Sequence, residues 1–264
     1  MNELYYDGRM LLIYLAVKYQ GDYTKIMTAL LDKDTEVPYE EALKLCQSLS
    51  CQTLTFLDYD YPTRLKQIHQ PPLVLFYYGD ISLLDKKSIG VVGARKFSEY
   101  GKECTEKIIG QIIKGKVVVS GLAKGIDSIA HQTAIDNGGR TIAVLGSGLD
   151  YCYPAENQQL YDEIKKNHLL ISEYPFATPP KPDHFPMRNR IVAGLADAMF
   201  IPQINDYMSG TMISVNMALS MGKEIFVAPH PFDDGTINNQ LLNEGATLVT
   251  SISQILDDLG WSIN

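Results

Sequence analysis

Cysteine is scarce and poorly placed for chemistry. The four residues, Cys46, Cys51, Cys104 and Cys152, include no CxxC pair, so neither a zinc knuckle nor a disulfide framework is indicated and reduced, structural thiols are expected. The five histidines are equally dispersed, and no metal is expected. No apolar run is long enough to span a bilayer, and the start MNELYYDGR is acidic and aromatic where a signal peptide is basic. That reading excludes a membrane protein and points to the cytoplasm. Basic residues are also outnumbered: 23 Lys and Arg against 31 Asp and Glu leave a net charge of −8. A chain that coats duplex DNA through its overall field is excluded, and any nucleic-acid site must be local. GxSxG, Walker A and HExxH are absent, and no nucleophile with a base stands out. Asp127 and His131 are spaced to pair on one helical face, or to serve as a helix-start acid near a structural histidine. The expectation is a protein without cofactor that is not an enzyme.

At 264 residues and 45% hydrophobic, the chain can bury one large core with a small satellite. Three-and-four spacing of apolar residues predicts helices over 10–19, 23–31 and 39–49, a small helical domain placed at 1–52. Pro62, Pro71 and Pro72 mark 53–87 as a linker with lead-in strands, one of them at 73–77. From residue 88 to 264 short β-branched runs alternate with helical stretches. Strands are predicted at 88–92, 117–120, 141–145, 169–172, 198–202, 224–228 and 247–250, and helices at 99–113, 127–137, 157–166, 188–194, 214–221 and 237–244. Such alternation means a parallel sheet with helices on both faces, whose ligands sit at the carboxyl ends of the strands.

Four glycine turns fall at those ends: Gly93 with Arg95 (VGAR), Ser120-Gly121 with Lys124-Gly125 (SGLAKG), Gly146-Ser147-Gly148 (GSG) and Ser209-Gly210-Thr211 (SGT). Taken singly, each glycine is explained by packing. Together at one rim they indicate phosphate contact, because glycine lets an anion reach the free N–H groups of a helix start. The segment KPDHFPMRNR adds Arg188, Asn189 and Arg190 as phosphate grips and Phe185 as a base-stacking ring. Its prolines argue against regular structure across it. The alternative is a surface loop with solvated arginines and Phe185 turned into the core.

VVGARKFSEYG, VVSGLAKGIDSIAHQTAIDNGGRTIAVLGSGLDYCYPAEN, LLISEYPFATPP, HFPMRNRIVAGLADA, SGTMISVNMALSMGKEIFVAP and NEGATLVTS, in this order, resemble the DprA/Smf family of DNA-processing proteins. The resemblance implies an α/β fold: a Rossmann-like, doubly wound, mostly parallel sheet with a small N-terminal helical (SAM-like) domain. It also implies a homodimer that binds single-stranded DNA without sequence preference and loads RecA recombinase during natural transformation, with no chemical step. On that resemblance Arg95, Ser120, Gly121, Lys124, Gly146, Ser147, Gly148, Arg188, Asn189 and Arg190 line the DNA groove. The chain departs from the family pattern at Gln203, where an acid is usual, at Met208, often arginine, and at Pro229-His230, usually Pro-Gly. No winged-helix-like domain is expected after Asn264. Two alternatives stay open. One is a nucleoside-monophosphate hydrolase of the lysine-decarboxylase-like group, whose PGGxGTxxE glutamate has no counterpart in residues 208–214. The other is a recombinase-recruiting module without DNA binding.

Overall fold

Short runs rich in valine and isoleucine, buried on both faces, cannot stand at a solvated edge, and they assemble the centre of one sheet. The computed structural model describes residues 7–32, 37–112 and 115–261. The strands are β1 (Gln52–Thr55), β2 (Val74–Gly79), β3 (Ser88–Val91), β4 (Val117–Ser120), β5 (Arg140–Leu145), β6 (Leu169–Ser172), β7 (Ala198–Ile201), β8 (Ile225–Val227) and β9 (Thr247–Leu248). They lie in the order β1-β2-β6-β5-β4-β3-β7-β8-β9. All pairings from β6 through β9 are parallel; β1–β2 and β2–β6 are antiparallel. The order reverses between β3 and β7, the switch point at which doubly wound sheets open a crevice.

The helices are α1 (Gly8–Lys18), α2 (Tyr23–Leu31), α3 (Tyr39–Ser48), α4 (Thr63–Lys66), α5 (Glu99–Ile112), α6 (Ile126–Asp136), α7 (Gln158–Asn167), α8 (His184–Leu195), α9 (Gly210–Ser220), α10 (Asn238–Asn243) and α11 (Ile252–Asp258). Alternate strand residues divide the core between two faces. Ile89, Val91, Val118, Phe200 and Phe226 pack with Ile109 of α5, Ala130 of α6 and Ile255 of α11. Val119, Ile142, Val144, Met199 and Ile201 pack with Leu65 of α4, Ile191 and Val192 of α8 and Val215 of α9. Leu15, Ile26, Phe76, Leu145, Leu170 and Ile164 form a third cluster, so α1 and α2 share their core with β2, β5, β6 and α7. Among the described residues, no helix is long and apolar enough to cross a membrane.

Three readings of the sequence change. Segment 181–190 is helical from His184 onward. Pro186 falls in the first turn of α8, where a missing N–H costs no intrahelical bond. Helix α9 begins at Gly210 rather than residue 214, with the Ser209 side chain accepting from the Met212 N–H. Strand β1 and helix α11 were not placed from the sequence: β1 buries two adjacent residues, Leu54 and Thr55, and so gives no alternating period, and α11 follows a polar Ser251 whose N–H donates to Gln254 Oε1. The end of the helix expected over 99–113 lies outside the described residues, as do residues 1–6 of the acidic start.

Candidate functional site

At the switch point a cavity of about 730 Å³ opens beyond the carboxyl ends of β3 and β7. The turn after β3, the start of α6, the first half of α8 and the β7–α9 loop wall it. Arg188 stands in it with 5% of its surface exposed. Its Nε donates to Asn189 Oδ1 at 3.0 Å, and one terminal amino group donates to the carbonyls of Gly121 and Val144. The guanidinium is thereby fixed, while its second amino group has no protein partner among the described residues. Burial lowers the basicity of Arg188, opposed by the Asp127 carboxylate. Asp127 is raised by its own burial, against the pull of Arg188 and of the N–H donors of Ala123 and Gly121, the latter at 3.1 Å. A buried cation with donors to spare favours an incoming anion.

The second part of the site is the start of α9. Gly210 and Thr211 are its first residues, so their N–H groups have no intrahelical acceptor and carry the positive end of the helix dipole. Nothing lies within 4 Å of where a Gly210 side chain would sit, so the approach is open. Asn189 Nδ2 donates to the Gly210 carbonyl at 3.2 Å, and Thr211 Oγ1 donates to the Gly93 carbonyl at 3.0 Å. One asparagine thus joins the Arg188 fork to the helix start. Exposed Arg95 and Lys96 add two cations at the mouth, and Asn205 Nδ2 donates to the Lys96 carbonyl at 2.8 Å.

Of the residues expected at the site, Gly93, Arg95, Phe185, Arg188, Asn189, Ser209, Gly210 and Thr211 line the cavity. The others do not, and their positions explain the glycines differently. A Cβ on Gly121 would fall 2.1 Å from an Arg188 terminal nitrogen; one on Gly125 would fall 2.3 Å from the Ala94 carbonyl; one on Gly146 would fall 2.9 Å from the Phe185 ring. Gly125 also has φ +85°, which favours glycine. These glycines admit neighbouring loops, and Gly121 admits the guanidinium itself. Ser120 is buried and donates to the Val91 carbonyl at 2.6 Å; Ser147 and Gly148 lie beneath the loop after β6, where the Gly148 N–H donates to the Thr178 carbonyl at 2.8 Å. Lys124 points away, paired with Glu156 at 2.5 Å. Arg190 is buried and bidentate on Glu173, at 2.7 and 2.6 Å.

Phe185 is half-buried, with its ring 5.4 Å from that of exposed Tyr153 at 31°. Both line the cavity. Tyr153, Lys96 and Asn205 were missed in the sequence. Lys96, beside Arg95, was the findable one. Tyr153 sits in a loop with no periodic signal. Of the positions that depart from the family pattern, Gln203 carries structure, its Oε1 accepting from the Ser98 N–H at 2.8 Å, whereas the Met208 side chain is exposed.

Asp127 and His131 do not pair. The Thr141 hydroxyl donates to the Val118 carbonyl at 2.8 Å, so it accepts from His131 Nδ1–H at 2.6 Å and leaves Nε2 unprotonated and without a partner. Burial lowers His131 to about 3. Because the folded value lies below that of the unfolded chain, stability is fully present above pH 6.5 and is lost as the pH falls towards 3. His131→Asn is expected to flatten that part of the pH profile of the unfolding free energy, measured in urea, by on the order of a few kcal/mol relative to wild type. An unchanged difference between the two proteins across the window contradicts this.

A sequence profile of the family described as DNA recombination-mediator protein A matches residues 52–260. The chain belongs to this family. Within it, the DNA processing protein DprA of Streptococcus pneumoniae is 42% identical over 206 residues, 77% of this chain and 73% of that protein. The X-ray structure of DprA from Streptococcus pneumoniae superposes with a TM-score of 0.80 at 35% identity, covering 94% of this chain and 93% of that one. DNA processing protein A from Helicobacter pylori, whose structure addresses its single-stranded DNA binding mode, gives a TM-score of 0.73 at 32% identity over 80% of this chain and 96% of that one. The fold is therefore that of DprA proteins, with a mostly parallel Rossmann-like sheet preceded by helices.

Proposed function

We propose that this chain binds single-stranded DNA without sequence preference in the switch-point cavity. In this reading it acts in the cytoplasm during natural transformation as a homodimer that loads RecA recombinase. One observation carries the DNA reading. The buried Arg188 fork, with its free amino group, shares a cavity with the open helix start of α9, beside Arg95 and Lys96. That is a phosphate site built from fixed donors, and it needs few cations, which suits a chain of net charge −8. The Tyr153–Phe185 pair supplies a stacking surface that tolerates any base. The Helicobacter pylori relative supports the strand as ligand. The family description supports the recombinase as partner. A second copy would join two sites on one strand and raise affinity through effective concentration.

Fluorescence anisotropy with labelled oligo-dT, competed by unlabelled single strand or by blunt duplex, tests the DNA reading. The single strand is expected to compete about tenfold better or more, because stacking requires unpaired bases. Equal competition by duplex, or no binding, overturns it. Release of free base from a nucleoside monophosphate would favour the hydrolase alternative.

A further inference from the structure

The loops after β3 and β8 and the first turn of α5 carry aromatic rings that the core does not use. Phe97 follows Arg95 and Lys96 directly and is 41% exposed. Tyr100 is also 41% exposed; its hydroxyl donates to the Pro229 carbonyl at 3.1 Å and its ring meets His230 edge-on at 5.0 Å. Two residues past His230, Phe232 is 93% exposed.

An exposed phenylalanine on a slack loop would mean little. This loop is stapled. The His230 N–H donates to Asn239 Oδ1 at 3.0 Å and its carbonyl accepts from Asn239 Nδ2 at 2.8 Å. The imidazole lies 2.5 Å from Asp234 Oδ2 and 2.9 Å from the Pro202 carbonyl. Asp234 Oδ1 in turn accepts from the Thr236 N–H and hydroxyl at 3.0 and 2.8 Å. The β3 loop is tied to the cavity in the same way, through Asn205 to the Lys96 carbonyl and through Gln203 to Ser98. A rigid loop with a solvated ring presents that ring to something outside the molecule.

We propose that Phe97, Tyr100 and Phe232 form a second stacking platform, on which the single strand continues after leaving the cavity past Arg95 and Lys96. This rests on the DNA-binding reading and adds a route to it. The occupant at Phe232 is nucleobase rather than phosphate, because Asp233 and Asp234 follow that ring directly and repel the backbone. In the sheet order β5 and β8 stand on opposite sides of the β3–β7 switch point, so the loop after β5 with Tyr153 and the loop after β8 with Phe232 flank the cavity. The platform therefore lengthens the site beyond the cavity.

The test is anisotropy with labelled oligo-dT of increasing length, for wild type, Phe232→Ala and Phe97→Ala, at two salt concentrations. Wild-type affinity should keep rising after the cavity is filled. Phe232→Ala should lose about fivefold or more on the long strands, keep wild-type affinity on the shortest strand that binds, and keep the wild-type salt slope. Phe232→Trp should bind as wild type does, and its fluorescence should be quenched by long strands only. Wild-type binding with Phe232→Ala indistinguishable at every length overturns the platform and leaves the cavity reading standing; a protein rather than a base on Phe232 would give that result. A wild type that binds no strand overturns both.

Discussion

Arg190→Met is expected to lower the free energy of unfolding by about 3–5 kcal/mol, because it leaves the Glu173 carboxylate buried without its guanidinium. The pair is almost wholly inaccessible, and Arg190 also donates to the Gln70 and Met187 carbonyls, at 3.0 and 2.8 Å. Burial lowers Arg190 but the Glu173 carboxylate more than offsets it, so the guanidinium sits above its usual value. Urea unfolding measures the loss. Arg190→Met combined with Glu173→Leu should recover much of it, since removing both charges removes the desolvated one. The fraction still folded should bind oligo-dT as wild type does, because Arg190 does not line the cavity. A loss below about 1 kcal/mol, or a selective loss of binding, contradicts this assignment.

The second large effect is expected from a single methyl group. In Gly121→Ala the new Cβ would lie 2.1, 2.3 and 2.4 Å from three guanidinium atoms of Arg188, so the fork must leave the Gly121 and Val144 carbonyls. Losing one charge-assisted phosphate contact is worth about 1.5–3 kcal/mol, or roughly 10- to 100-fold in affinity for oligo-dT. Gly110→Ala in α5, where a Cβ would meet nothing closer than 3.6 Å and which does not line the cavity, is the control expected to change binding little. If Gly121→Ala binds as wild type does, Arg188 is not the phosphate grip.

Most of the architecture was legible because the strands that make it are simple. Runs such as 117–120 and 169–172 are buried on both faces and could be nothing but central strands. The rim was legible for the same reason: glycines end β3, β4 and β5. What those glycines admit was not. A residue without a side chain reports that something comes close, and a phosphate, a guanidinium and a phenyl ring leave the same mark in the sequence. Gly121, Gly125 and Gly146 therefore read alike, although the structure sets an arginine, a backbone and a ring against them.

The arginines failed for a related reason. Arg188 and Arg190 both fall in the helix read over 188–194, yet they were grouped with Asn189 as one set of phosphate grips in the KPDHFPMRNR segment. On a helix they are two residues apart, about 200° around the axis, and must face opposite sides. Carrying the helical spacing through that cluster separates the cavity residue from the core residue. Tyr153 and Phe232 lie in loops where no periodicity exists to place them.

The central claim is that a few fixed donors in the cavity, on an acidic chain, hold the backbone of a single strand. Its most direct measurement is the salt dependence of oligo-dT binding for wild type and Arg95→Ala. The predicted result is a linear fall of log K with log salt in wild type, with Arg95→Ala losing about 1 kcal/mol and a slope of about 0.7, the share of one neutralised phosphate. A wild-type affinity indifferent to salt, or a slope that Arg95→Ala leaves unchanged, would contradict it.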